Sequence, residues 1–384
     1  MKKNLLIGIC ALSIAAQTSA TVITVSNNPN SPGQYTSLQA AADAASNGDT
    51  LLIAGSGTSY GGVNNFSKQL HFVGVGYGPN KDFQLKTETG PIQLGVVDAN
   101  ENASGSTIEG ILFHGLNLIG TATVPLENIT VKRCESSGAY PSSDQMFRME
   151  YVENIFIYNN VLRNCYYYGN FNGSLFNTVY ASMLLVDNST CDNIFVENNL
   201  IGAIKGGVKA GGTFIVRNNI FLRDNGNMIW AFLDAANASI ANNIIAHVQG
   251  VGSASYCSYT NNLAFDNTNT GNNFPSGGTN TSVNNQDGVD PLFVNYTSGQ
   301  YITNAWNFDF HLQPGSPAIG AGLNGEDLGI YGGNYPWPDG GASGSGWMYR
   351  QEPQFPQVNQ MTIQNPVVPV NGTLSVTSKG IVND

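Results

Sequence analysis

Four polar residues stand at matching places in a repeated stretch of the chain: Glu150, Asp187, Lys209 and Asp234. Each lies at or near the end of a short, mostly apolar run: QMFRME (145–150), SMLLVD (182–187), KGGVKA (205–210) and WAFLD (230–234). If these runs are strands stacked one above the next, the four residues form a column with one strand spacing, about 4.8 Å, per step. Glu150 and Asp187 would then lie about 5 Å apart, and Asp187 and Asp234 about 10 Å apart with Lys209 between them. Carboxylates about 5 Å apart suit retaining glycoside hydrolysis, and wider pairs suit inverting hydrolysis. A lysine among acids can serve as a base or charge stabiliser in a polysaccharide lyase. A row of carboxylates can also hold Ca²⁺ against an acidic sugar, the only cofactor expected here and only if the chemistry is a lyase's. The bland alternative is that acids end strands by bonding to turn backbone and keep the surface soluble.

Aromatic residues gather beside this column. The segment NCYYYGNFNGSLFNTVY (164–180) carries Tyr166, Tyr167 and Tyr168 in succession, then Phe171, Phe176 and Tyr180. Aromatic rings on a long loop over a rigid scaffold are candidates for stacking on sugar faces, although such a loop can equally pack its own apolar cluster. Trp230, in the fourth run, is a further candidate platform or a core residue.

What must position these residues is a repeat. IFIYNNVL (155–162) returns as IFVENNLI (194–201), FIVRNNIF (214–221) and IANNIIAH (240–247 aligned on its Asn pair), with a weaker echo in SYTNNLAF (258–265). The Asn pairs begin at 159, 198, 218, 242 and 261, at intervals of 39, 20, 24 and 19 residues. A period near 20 residues marks stacked units, each too small to bury its own apolar face. Ile155, Ile194, Phe214, Ala238 and Cys257 fall in one column, and Ile157, Val196, Val216, Ile240 and Tyr259 in a second. The position before the Asn pair (Tyr158, Glu197, Arg217, Ala241, Thr260) tolerates charge, so the alternation is that of a strand. The expected fold is therefore all-β, a parallel β-solenoid. The Asn pairs occupy its turns, where Asn tolerates left-handed backbone and can bond to its counterpart one coil away. The 39-residue interval is one coil with an insertion, and that insertion is the aromatic segment.

Bulk properties agree. With 45 Gly, only 11% charged residues and a net charge of −11, the chain suits stacked strands and turns. It does not suit nucleic acid or an anionic membrane. Residues 1–20 (Lys2-Lys3, then LLIGICALSIAA, then Thr18-Ser19-Ala20) have the form of a secretory signal peptide, and no other run is long and apolar enough to span a bilayer. The expected protein is secreted or held at the cell surface or in the periplasm, and monomeric. Cys134, Cys165, Cys191 and Cys257 are too few for a disulfide framework. Cys134 aligns with Asn160 in the turn ladder. With no CxxC or HxxH pair, no zinc site is expected.

Along the chain, residues 22–25 form a first strand. Thr36 and Gln39 have capping-box spacing ahead of a helix-favouring stretch that Asn47-Gly48 can stop. Such a helix would cover the open end of the first coil. This helix, GDTLLIAGSG (48–57) and Tyr60-Gly61-Gly62 together resemble the opening of secreted right-handed parallel β-helix proteins of the pectin-lyase-like superfamily. DPLFVN (290–295), DFHLQPGSPAIGAG (309–322) and DLGIYGG (327–333) resemble the final coil and tail of bacterial choice-of-anchor Q β-helix proteins. The resemblance spans roughly 22–335. It implies the fold strongly and an activity weakly, since this fold hosts lyases, hydrolases, adhesins and structural proteins. The clustered Asp, Gly-His-Gly and Arg-x-Lys motifs of polygalacturonase-like hydrolases are missing, as is an Arg/Asp pattern like that of the classical pectate lyases, so no catalytic set carries over.

Residues 266–289 read as a long polar loop. Residues 336–384 read as a Pro/Gly/Trp-rich linker followed by a β tail with two strand-like runs. The expected organisation is thus a signal peptide (1–20), a β-helix domain (21–335) and that tail. The expected partner is an extracellular polysaccharide, bound or cleaved along a groove. The alternative is a non-enzymatic surface or adhesive β-helix.

Overall fold

A computed structural model describes residues 20–76, 85–136, 147–162, 167–171, 174–180, 183–187, 189–223, 230–268, 273–296, 302–337, 356–363 and 372–382. The expected signal peptide and Tyr166 lie outside the described residues. Most of the described chain forms three long parallel sheets. The first has eleven strands, from Val22–Val25 to Thr281–Val283; the second nine, from Glu88–Thr89 to Gln286–Asp287; the third nine, from Val63–Phe66 to Gly250–Val251. The chain visits them in rotation. Val152–Tyr158 belongs to the first sheet, Val161–Leu162 to the second and Met183–Val186 to the third; then Asp192–Glu197 returns to the first. Every strand thus pairs with its counterpart one coil away.

The register reproduces both predicted columns. Ile155 pairs with Ile194, Ile194 with Phe214 and Phe214 with Ala238; Ile157 pairs with Val196, Val196 with Val216 and Val216 with Ile240. These side chains are buried in one continuous core between the sheets. Burying each Ile, Val or Phe contributes about 1.5–3 kcal/mol, which a lone unit of some 20 residues could not collect.

The Asn pairs divide their work. The first of each pair takes the left-handed backbone the corner needs, with φ between 53° and 57° at Asn159, Asn198, Asn218, Asn242 and Asn261. The second points inward and builds a ladder. Asn199 Nδ2 donates to Asn219 Oδ1 (3.0 Å), and that oxygen also accepts from the Asn199 backbone N–H (2.9 Å). The same Nδ2 donates to the Ile157 and Glu197 carbonyls (2.9 Å each). The pattern repeats at Asn160, Asn219, Asn243 and Asn262, and it ends on Asn285. Cys134 takes the top rung, its backbone N–H donating to Asn160 Oδ1. Burial, with a smaller contribution from the Glu109 charge, pushes its thiol up to about 12, although backbone N–H groups of Ile111 and Gly110 oppose the shift.

Two expectations are corrected here. Residues 266–289 are not simply a loop: Thr281–Val283, the Asn284-Asn285 pair and Gln286–Asp287 form a further coil. Its flanks are polar, so the apolar signature that marks the other coils is absent. The helix, Leu38–Ala44, is capped by Ser37 rather than Thr36, and Gln39 bonds to Asp43 and to the Asn64 N–H. It buries Leu38, Ala41 and Ala42 and contacts the first strands of the first and third sheets. Lys68 Nζ closes its C-terminal end on the Asp43 and Ala45 carbonyls.

Past the last coil the chain doubles back. Residues 289–296 and 302–337 lie on the outer face of the second sheet, where Leu112, Val161, Leu200, Ile220, Ile244 and Leu263 pack with Phe293, Phe308, Phe310, Leu328 and Trp337 in a second apolar cluster. Both faces of this sheet are therefore buried, which is why its strands read as unbroken apolar runs (VL, LI, IFL, IIA). The first Asn of four of the pairs holds this tail. Leu323 N–H donates to Asn242 Oδ1, Asn218 Nδ2 donates to the Asp327 carbonyl, Asn198 Nδ2 to the Ile330 and Gly332 carbonyls, and Asn159 Nδ2 to the Tyr335 carbonyl. The tail so crosses the coils in reverse order. Gly332 sits so close that an added Cβ would lie 1.9 Å from the Asp327 carbonyl oxygen and 2.8 Å from Asn218 Nδ2. Farther on, Pro356–Ile363 and Val376–Val382 pair antiparallel with one another.

Candidate functional site

The third sheet carries the predicted runs. Its core-facing positions, such as Leu94, Leu118, Met149 and Ile204, are buried. The alternate positions share one register column: Gln93 pairs with Asn117, Asn117 with Arg148, Arg148 with Leu185 and Leu185 with Lys205. Asn64, Pro91, Gln93, Asn117, Ile119 and Arg148 line a cleft of about 260 Å³ at one end of this column. Two strand spacings, about 10 Å, separate the Arg148 and Lys205 rungs.

The four predicted residues do not form a single column. Met149 pairs with Val186, so Glu150 and Asp187 are indeed adjacent in register. Val186 pairs with Gly206, however, and Leu185 with Lys205. Lys205, not Lys209, is therefore the lysine of this face. Lys209 lies past the corner toward the first sheet, where its Nζ meets Asp192 Oδ2 at 3.1 Å and Glu153 Oε1 at 3.2 Å. Hydrogen bonds to those two carboxylates raise its pKa. Glu150 is bonded by Arg148 Nη2 two residues back in the same strand. Asp187 is buried and turns onto its own chain, accepting from the Ser189 N–H (2.9 Å) and Oγ–H (2.7 Å). Asp234 sits at a left-handed position (φ 48°) where the pairing of the strand shifts. Its carboxylate accepts from Ser253 Oγ at 2.7 Å and lies 3.6 Å from Lys205 Nζ.

Lys205 is the residue that counting along the sequence missed. Its side chain is 6% exposed while that of Asp234 is 59% exposed. Burial lowers the lysine's pKa, and the attraction of Asp234 opposes this without reversing it. The signal was the Gly206-Gly207 pair after it. Gly206 has φ 87°, and a Cβ on Gly207 would lie 2.0 Å from the Ala236 carbonyl oxygen. These two positions bring the backbones together and end the regular strand.

The aromatic insertion is a hairpin, Tyr167–Phe171 paired antiparallel with Ser174–Tyr180. Chain order places it between a second-sheet strand and Met183–Val186 of the third sheet, which carries the Leu185 rung. Tyr167 and Tyr168 lie in its first strand. Trp230 opens the third-sheet strand Trp230–Ala236 and is half-buried against the next coil, where Gly252 could not carry a Cβ without meeting its Cβ and Cγ at 3.1–3.2 Å. Among the described residues, no three His, Cys, Asp or Glu side chains converge as a metal site. The carboxylates expected to hold Ca²⁺ are instead engaged by Arg148, Ser189, Ser253 and Lys205. No family model matches the chain, and a search of curated proteins finds no match.

Proposed function

We propose that this chain is an exported, right-handed parallel β-helix, closed at its first coil by the helix Leu38–Ala44, that binds an extracellular polysaccharide along the outer face of the third sheet. One observation carries the reading: the in-register column Gln93–Asn117–Arg148–Leu185–Lys205. Two amides and a cation on successive rungs, with a second cation two rungs (about 10 Å) farther on, are suited to bonding the hydroxyl and acidic groups of an extended glycan. The hairpin inserted at the Leu185 rung adds aromatic residues to the same coil. The resemblance to pectin-lyase-like proteins supports a carbohydrate ligand.

Binding is favoured over cleavage because the charged groups of this face are already partnered. Glu150 is held by Arg148 and Asp187 by Ser189. If the glycan is also cut, the group suited to take the proton is Lys205, whose neutral form burial favours. A non-enzymatic adhesive role uses the same face and the same contacts.

The test is affinity electrophoresis of the wild type, Arg148→Ala and Lys205→Ala through gels containing acidic or neutral polysaccharides, with product analysis in parallel. At least one polysaccharide should retard the wild type, and each variant should lose about tenfold or more in affinity. Retardation unchanged in both variants would remove the third sheet from consideration. Product formation that Lys205→Ala abolishes would assign cleavage to this site.

A further inference from the structure

The covered second sheet contains a titratable pair that the polysaccharide face does not use. His247 follows the strand Ile244–Ala246 in a left-handed conformation (φ 56°), and Asp266 follows Leu263–Phe265 one coil later in the same conformation (φ 47°). His247 Nδ1 lies 2.9 Å from Asp266 Oδ2. The imidazole side chain is 4% exposed. Its ring stands edge-on to Phe265, with centroids 5.6 Å apart, and lies 5.2 Å from the ring of Tyr296 in the covering segment. Its other nitrogen, Nε2, is buried and has no hydrogen-bond partner among the described residues. The covering chain is attached on both sides of this point. Val289 N–H donates to the Ala264 carbonyl, and Ile302 N–H to the carbonyl of Arg223, in the coil before His247.

We propose that the His247–Asp266 pair is an acid-sensitive latch: protonation of His247 loosens residues 289–296 and 302–312 from the outer face of the second sheet and bares the apolar surface beneath them. In the neutral ring Nδ1–H donates to Asp266 and Nε2 carries only a lone pair. Protonation puts an N–H at Nε2, where no acceptor stands, and a charge among aromatic rings. The ionisable groups that face the ring are Asp266 from the following coil, Arg223 from the preceding one, and Asp290 and Tyr296 from the covering segment. Burial disfavours the cation first; Asp266 and Asp290 favour it, Arg223 disfavours it, and the net result lowers the pKa. Asp266 is itself 54% exposed, so solvent screens its help. With a covered-state pKa below the ordinary value, the covered state binds fewer protons than the open one. Closure is therefore fully favoured above the ordinary imidazole pKa and weakens as pH falls through it. Uptake of one proton on opening raises the open fraction by at most about tenfold per pH unit across that window.

The experiment is hydrogen exchange of the full chain at pH 7.5 and 5.5, corrected for intrinsic rates. Exchange in 289–296 and 302–312 should accelerate selectively in acid, by up to about tenfold, relative to the coils 152–158 and 192–197. His247→Gln should remove this acceleration. A wild type without selective acid opening, or a Gln variant that keeps it, overturns the latch. Should His247→Gln not fold, the imidazole resonance of His247 in the wild type decides: a midpoint below that of an exposed histidine sustains the latch, and one at or above it overturns it.

Discussion

The outer faces of the second and third sheets are built on the same backbone and carry opposite surfaces. Along the second, the outward positions are Leu112, Val161, Leu200, Ile220, Ile244 and Leu263, and the chain brings its own tail to cover them. Along the third, they include Gln93, Asn117, Arg148 and Lys205, and a cleft stays open at one end. A parallel sheet covered on both faces can spend every position on packing, whereas one with a free face must make alternate positions compatible with water. The contrast shows where this solenoid invests in stability and where it leaves a surface for a partner.

Removing the cover should have the largest effect. Ending the chain at Gly288 strips the six aliphatic side chains of the second sheet of their neighbours. At about 1.5–3 kcal/mol each, that is roughly 9–18 kcal/mol, comparable to the whole stability of a typical domain. The expected outcome is an insoluble protein, or one without a cooperative urea transition. A truncated chain that unfolds at the same midpoint would break the comparison. A smaller effect is expected at the corner between the first and second sheets. Asn219→Ala removes the oxygen that accepts from Asn199 and the amide that donates to the Val196 and Arg217 carbonyls and to Asn243. Stranding these buried partners should cost about 3 kcal/mol in urea unfolding. The smallest effect on stability should come from the open face. Asn117→Ala should change stability by less than about 0.5 kcal/mol, yet weaken polysaccharide retention in the same gels that test Arg148 and Lys205. A large loss of stability there would mean that the third-sheet face is structural too.

How far the sequence discloses each region follows from local geometry. The core columns and the inner Asn ladder are legible because each coil places like residues in like positions, and a corner that needs positive φ and a buried amide admits few alternatives to Asn. The third-sheet column is legible only in part. Counting back from the Asn pair assumes a corner of fixed length between the third and first sheets. The corner is one residue after Glu150 and after Ala236, but five after Val186 and six after Gly207. That variation moves the lysine of the face from Lys209 to Lys205. The coil at 281–287 was hidden for another reason: its flanks are polar, although its Asn284-Asn285 pair was present. The docking of the tail could not be read at all, because the first Asn of each pair already had a sufficient explanation in its backbone angle.

That docking also fixes the number of coils. The tail meets Asn242 at Glu326 and Asn159 at Tyr335, so nine residues of tail answer to three steps of the solenoid. An open repeat array can gain or lose a unit by duplication and remain foldable. Here an added coil between Asn159 and Asn242 would leave one Asn without its tail carbonyl and shift the rest out of step. The tail is thus a gauge on repeat number, and lineages of this protein should vary in loops and insertions, such as the hairpin, rather than in whole coils across that span.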